Sequence, residues 1–119
     1  MHKTFDPANL KQFTGTERYY RISRRHLLTD GTKHLAELAS CFWLMDAIAS
    51  HLSEIGTNEW FVVIKTQVKR TRAVMVYLDG NGRELARQEI GYTDLPTDHI
   101  DLYASWDGDH WVIMLPSEY

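Results

Sequence analysis

The chain has 119 residues, 44% of them hydrophobic and 24% charged, which excludes a chain disordered throughout and matches one domain of the usual ~100–200 residues. A single cysteine, Cys41, excludes an intramolecular disulfide and a thiolate zinc cage, and no apolar run reaches the ~18 residues of a spanning helix. The net charge of −3 divides into +4 over residues 1–78 (eleven Lys/Arg, seven Asp/Glu) and −7 over residues 79–119 (two Lys/Arg, nine Asp/Glu), an asymmetry that can steer a charged partner.

Residues 1–17 read as a polar lead-in, with Asp6-Pro7 starting a short helical stretch that stops before Gly15. It lacks the apolar run of a secretory signal, so a reducing cytoplasm is the expected compartment. Residues 19–28 combine β-formers with arginine and are predicted to be an extended segment, closed by the turn Thr29-Asp30-Gly31.

From residue 32 to 52, Leu35, Leu38, Phe42, Met45, Ala49 and Leu52 recur at alternating steps of three and four, one stripe of an α-helix. Ala39, Cys41, Trp43, Leu44, Ala47 and Ile48 widen the stripe, so this helix is expected to be covered on more than one side.

Residues 60–115 read as sheet. Segments 60–68 and 72–78 are β-branched and aromatic, and Asp79-Gly80-Asn81-Gly82 is a hairpin turn, because Gly and Asn tolerate positive φ. Segment 83–92 alternates Leu85, Arg87 and Glu89 against Ala86, Gln88 and Ile90. Segment 100–106 sets Ile100, Leu102, Ala104 and Trp106 against Asp101 and Tyr103, and 111–115 follows the turn Asp107-Gly108-Asp109. The expected fold is α+β: one long helix packed on a four- to five-stranded antiparallel meander, two layers in one domain spanning 1–119.

Catalytic signatures do not emerge. The six histidines, His2, His26, His34, His51, His99 and His110, show no close metal-binding pair. Cys41 lies on the apolar helix as a small hydrophobe. No GxSxG elbow occurs, and the DGNG turn lacks the helix and Lys-Ser/Thr of a phosphate loop. No catalytic residue, metal or cofactor is assigned.

Asp46 stands in the apolar stretch Trp43-Leu44-Met45-Asp46-Ala47-Ile48 and is a candidate buried polar group, costly there unless paired. It either turns to the helix's narrow polar side, binds a backbone amide of the lead-in, or serves a function. Arg18, Arg21, Arg24, Arg25 and His26 interleave with Tyr19 and Tyr20, the charge-plus-ring composition of a single-strand nucleic-acid surface. Lys65, Lys69, Arg70 and Arg72 gather at the first hairpin. A sequence pI near 6.0 weighs toward protein contact, where Arg and Tyr are also favoured. The helix's excess apolar width suggests self-association through Trp43, Leu44 or Ala47 unless the lead-in covers that side.

The chain resembles a bacterial and mobile-element domain family of unknown function. The resemblance is carried by residues 10–17 (LKQFTGTE) with Tyr19-Tyr20 and by Leu28-Thr29-Asp30-Gly31. It continues through Trp43-Leu44 with residues 46–50 (DAIAS), residues 92–96 (YTDLP) and residues 115–119 (LPSEY). It implies no activity and no catalytic residues. The signatures fall largely in turns and connections, where they either make the fold or mark a surface.

The expected function is a non-enzymatic protein-binding module, an inhibitor of a host defence complex in the manner of anti-CRISPR proteins. Its expected surfaces are the Arg/Tyr segment and an acidic edge of Asp94, Asp98, Asp101, Asp107 and Asp109. The alternative is a nucleic-acid-binding accessory protein using residues 18–26.

Overall fold

A computed structural model describes residues 15–39, 41–56, 58–93, 95 and 97–119; the helical start expected at Asp6-Pro7 and the candidate Asp94 lie outside them. Two short strands come first, β1 (Tyr20–Ser23) and β2 (His26–Leu28), then two helices, α1 (Asp30–Leu38) and α2 (Phe42–Ile55). Five strands follow: β3 (Phe61–Lys69), β4 (Arg72–Asp79), β5 (Glu84–Ile90), β6 (His99–Trp106) and β7 (Trp111–Met114), with a closing 3-10 turn at Pro116–Glu118.

The expected single helix on a four- to five-stranded antiparallel meander is corrected on both counts. The helical region is broken in two, and among the described residues the sheet has seven strands in the order β1-β2-β7-β6-β3-β4-β5. It is mixed, because β2 and β7 run parallel while the other neighbours are antiparallel.

The break has a geometric cause. Along an unbroken helix turning about 100° per residue, buried Gly31, Thr32, Leu35 and Ala36 would centre roughly 140° away from buried Leu44, Met45, Ile48, Ala49 and Leu52. One rod cannot turn both sets toward one sheet. α1 ends where the Cys41 amide donates to the Ala36 carbonyl at 2.9 Å, the six-to-one bond of a Schellman-type helix end. Phe42, expected in the apolar stripe, consequently opens α2 on its exposed side.

The meander fails at β6, which pairs with β3 instead of β5. The connection from β5 is tied to the ends of the strands it passes: the Thr93 amide donates to the Thr71 carbonyl at 2.6 Å, and the Val68 amide to that of Asp98 at 2.7 Å. β2 then extends the sheet beyond β7, with Leu28 beside Ile113.

Alternation along the strands separates two faces. One carries Val62, Ile64, Met75, Tyr77, Leu102, Ala104, Trp111 and Ile113, all buried in one core with Leu35, Leu44, Met45, Ile48 and Leu52 of the helices. The other carries Phe61, Val63, Lys65, Gln67 and Lys69 on β3 and Arg72, Val74, Val76 and Leu78 on β4, with His99, Asp101, Tyr103 and Ser105 on β6. These are half-buried or exposed. The outer strands are charged, short or bulged, β1 around Arg21 and β5 near Glu84, features that blunt edge-to-edge pairing.

Candidate functional site

The residues expected to bind are distributed, not gathered. Arg18 and Tyr19 precede β1 and are exposed, whereas Tyr20 is half-buried, its hydroxyl donating to Asp30 Oδ1 at 3.2 Å and Lys33 Nζ lying 4.1 Å from its ring centre. Arg21, Arg24 and Arg25 are exposed around the tight β1–β2 turn, where Arg21 donates to the Arg24 carbonyl at 3.0 Å. Asp98, Asp101, Asp107 and Asp109 are exposed, but the eight residues of β6 separate Asp98 from Asp107 by about 30 Å at ~3.3 Å per residue. Lys65 pairs with Asp101 across β3 and β6.

Asp46 is not buried: it shares α2's solvent stripe with Phe42 and Ser50. Leu44 is fully enclosed in the chain's own core, while Trp43 and Ala47 are half-buried against it. His26 is buried, its Nδ1 against Ser23 Oγ and its Nε2 at 3.4 Å from Ser53 Oγ; burial holds its pKa below the usual histidine value. Among the described residues, no three His, Cys, Asp or Glu side chains converge as metal ligands would.

Several turn signatures of the sequence do meet in space, at the N-terminus of α1. Thr29 caps the helix, and its amide donates to Thr32 Oγ1 at 2.9 Å in a reciprocal capping box. The Glu118 carboxylate closes on the same point, accepting from Thr29 Oγ1 at 2.6 Å, the Gly31 amide at 3.0 Å and the Leu115 amide at 2.9 Å. Gly31 leaves room for this approach, since a β-carbon there would lie 2.5 Å from Glu118 Oε1 and from Leu115 Cδ1 and those side-chain ends would have to shift. Asp30 reaches the other way, accepting from the Glu17 amide at 2.9 Å, while its own amide donates to Thr16 Oγ1. The Glu17 amide leads the causes that hold its carboxyl below the usual aspartate range. These groups satisfy one another, and the arrangement is a structural lock.

The second face of the sheet differs. At one end, Trp60, Phe61, Tyr103 and Tyr119 line a cleft of about 470 Å3 together with Glu59, Asp79, Gly80 and Asn81. Phe61 and Tyr103 come from the open face of adjacent strands, with ring centres 5.1 Å apart, and Tyr119 packs on both at 5.0 and 5.7 Å. Trp60 and Tyr119 remain 64% and 70% exposed, a large apolar surface left in water.

Asp79 is fixed by the β4–β5 turn: Oδ1 accepts from the Asn81 and Arg83 amides at 2.9 and 2.8 Å. The Arg83 amide leads the causes that hold the Asp79 carboxyl low, so it is ionised at neutral pH. The exposed Arg83 guanidinium spans Asp79 Oδ2 at 3.3 Å and Glu59 Oε1 at 3.2 Å.

At the other end, a wider groove of about 890 Å3 is lined by Gln67, Lys69, Arg70, Arg72, Val74 and Glu89, among others. Arg70 takes a φ of 60° in the two-residue link between β3 and β4, a region costly for a residue with a β-carbon. The basic knot at this hairpin was legible in the sequence. The aromatic cleft was not, because its rings come from three separate segments; the signal available was Tyr103 on the face opposite Ile100, Leu102 and Ala104.

No helix among the described residues is long and apolar enough to cross a membrane. Comparison with curated proteins and with solved structures returns no match. The model of a family described as of unknown function (DUF6876) matches residues 5–119, and the lock at α1 and the open-face cleft both fall within that span. The chain belongs to this family of unknown function.

Proposed function

We propose that the protein is a non-enzymatic binding module that engages a protein partner with the open face of its sheet. The observation that carries this reading is a row of half-buried apolar side chains on adjacent strands: Val74, Val76 and Leu78 on β4, Val63 on β3 and Tyr103 on β6. This apolar row runs beside the exposed Lys65 and Gln67 of β3, with the aromatic cleft at one end and Lys69, Arg70 and Arg72 at the other, the mixture of apolar and polar surface that interfaces carry. A non-enzymatic role is further supported by the Ser23–His26 pair, the nearest approach to nucleophile and base among the described residues, in which the second imidazole nitrogen faces a serine instead of an orienting carboxylate.

Inhibition of a host defence complex is a narrower form of the same proposal, motivated by the charge asymmetry along the chain. The experiment compares wild type with Val76→Glu in an affinity pull-down from bacterial lysate treated with nuclease. A protein retained by wild type and lost by a folded Val76→Glu variant supports the open face; equal retention discards it. The alternative, nucleic-acid binding, is favoured by the exposed arginines 18, 21, 24 and 25 with the basic groove. It requires retention that vanishes with nuclease and weakens with salt.

A further inference from the structure

We propose that the cleft formed by Trp60, Phe61, Tyr103 and Tyr119 is a binding site for an arginine side chain presented by a partner protein. This rests on the open-face reading above and names the chemistry at one end of that face.

Three features select a guanidinium. The first is the ring wall: Tyr103 stands edge-on to Phe61 and Tyr119, which tilt against each other, and Trp60 tilts against Phe61 at 5.8 Å. The exposed Trp60 and Tyr119 rings offer the negative π faces over which Arg stacks. The second is charge. Among the described residues, Glu59 and Asp79 line the cleft with two carboxylates against the cation of Arg83, leaving a local charge of −1. That balance repels phosphate, and the cationic side chains of the open face lie mainly at its other end.

The third feature is Arg83 itself. It already places a guanidinium across Glu59 and Asp79, so the carboxylates are spaced for that group. Its side chain is 70% exposed, and an ion pair in that setting is weak and readily exchanged. Removing the Arg83 side chain leaves the turn intact, because the turn bonds run from the Asn81 and Arg83 amides to Asp79 Oδ1. Arg83 is thus a resident competitor that an incoming arginine displaces.

The test is a titration of isotope-labelled protein with N-acetyl-arginine amide, read at the Trp60 indole signal, with the citrulline analogue as a neutral control of nearly the same shape. Saturable shifts are expected for the arginine probe and at least fivefold weaker ones for citrulline. Trp60→Ala removes the ring and Glu59→Gln a carboxylate; each weakens the probe about fivefold to tenfold, as read on other ring and amide signals of the cleft. Arg83→Gln tightens it about threefold, an increase that a merely misfolded variant would not give.

Equal response to arginine and citrulline, or an Arg83→Gln variant that binds no better than wild type, overturns the proposal. The two readings separate cleanly. Partner loss in Val76→Glu without an arginine response removes this site and leaves the protein-binding reading. An arginine response with partner retention unchanged in Val76→Glu does the reverse.

Discussion

The N-terminus of α1 and the aromatic cleft both assemble side chains from distant parts of the chain, and they do opposite things with them. At α1, Thr29, Asp30 and Glu118 spend their hydrogen-bonding capacity on the chain's own amides and hydroxyls. At the cleft, two large rings and a guanidinium are left in water. A polar cluster that is internally satisfied holds a fold together; exposed rings beside exchangeable charge are surface kept available for contact.

The sharpest way to break this comparison is at Glu118. Its carboxylate accepts three hydrogen bonds at the start of a helix, a position where negative charge is favoured. Glu118→Ala is expected to destabilise the protein by about 3 kcal/mol, from charge-assisted bonds lost and amides left unsatisfied. In thermal denaturation that lowers Tm by roughly 10 °C. A fall under about 1 kcal/mol would remove the lock from among the structural features.

What the sequence revealed and what it hid follow the same division. The β4–β5 turn was legible because Asp79 and Gly82 encode it locally, Gly82 taking a φ of 87°. The alternation of β6 was legible too, with Ile100, Leu102 and Ala104 all buried as expected. The helix break was hidden because thirteen apolar side chains between residues 35 and 52 supply a stripe in almost any phase. The insertion of β6 beside β3 was hidden because strand order is set by long-range pairing, which local propensity does not encode. The signatures around Thr29 and Glu118 stood out as motifs, yet nothing in either segment tells that they touch across a separation of 89 positions. Asp46, a candidate buried group, takes the other alternative its sequence context left open and faces the helix's polar side, because apolar sequence neighbours on a helix point in other directions.

A second buried polar site extends the comparison to pH. His26 bonds to serines, and burial lowers its pKa from 6.5. The unfolded chain takes up a proton near 6.5 while the folded chain resists, so stability falls as pH drops from 6.5 toward the lower folded value. Urea midpoints measured between pH 7.5 and 5 should decline, and His26→Gln should flatten that decline. Asp30 acts further down: its lowered pKa supplies stability above 3.8 that is lost as pH falls through the folded value. The two limbs are separable because His26→Gln leaves the acid limb in place.

On the open face, Arg70 carries backbone strain that the lock does not show. Arg70→Gly relieves its positive φ and is expected to stabilise by about 1 kcal/mol, part of the gain being offset by glycine's freedom in the unfolded chain. A stabilised variant that also loses the partner would mean that strain is retained at this hairpin for contact.

The smallest stability effect belongs to a residue on which binding of the arginine probe depends. Trp60 is mostly exposed, and the hydrogen bond it contributes to the sheet is a backbone one, its carbonyl accepting from the Trp106 amide at 2.9 Å. Trp60→Ala should therefore change stability by less than about 0.5 kcal/mol while weakening the arginine probe several-fold. Glu118→Ala should do the converse, unfolding at lower temperature yet binding the probe normally below its transition. A double dissociation of this kind separates the two regions by function. If Trp60→Ala instead destabilises by 2 kcal/mol or more, the rings are a satellite core, and the difference between lock and cleft is one of exposure alone.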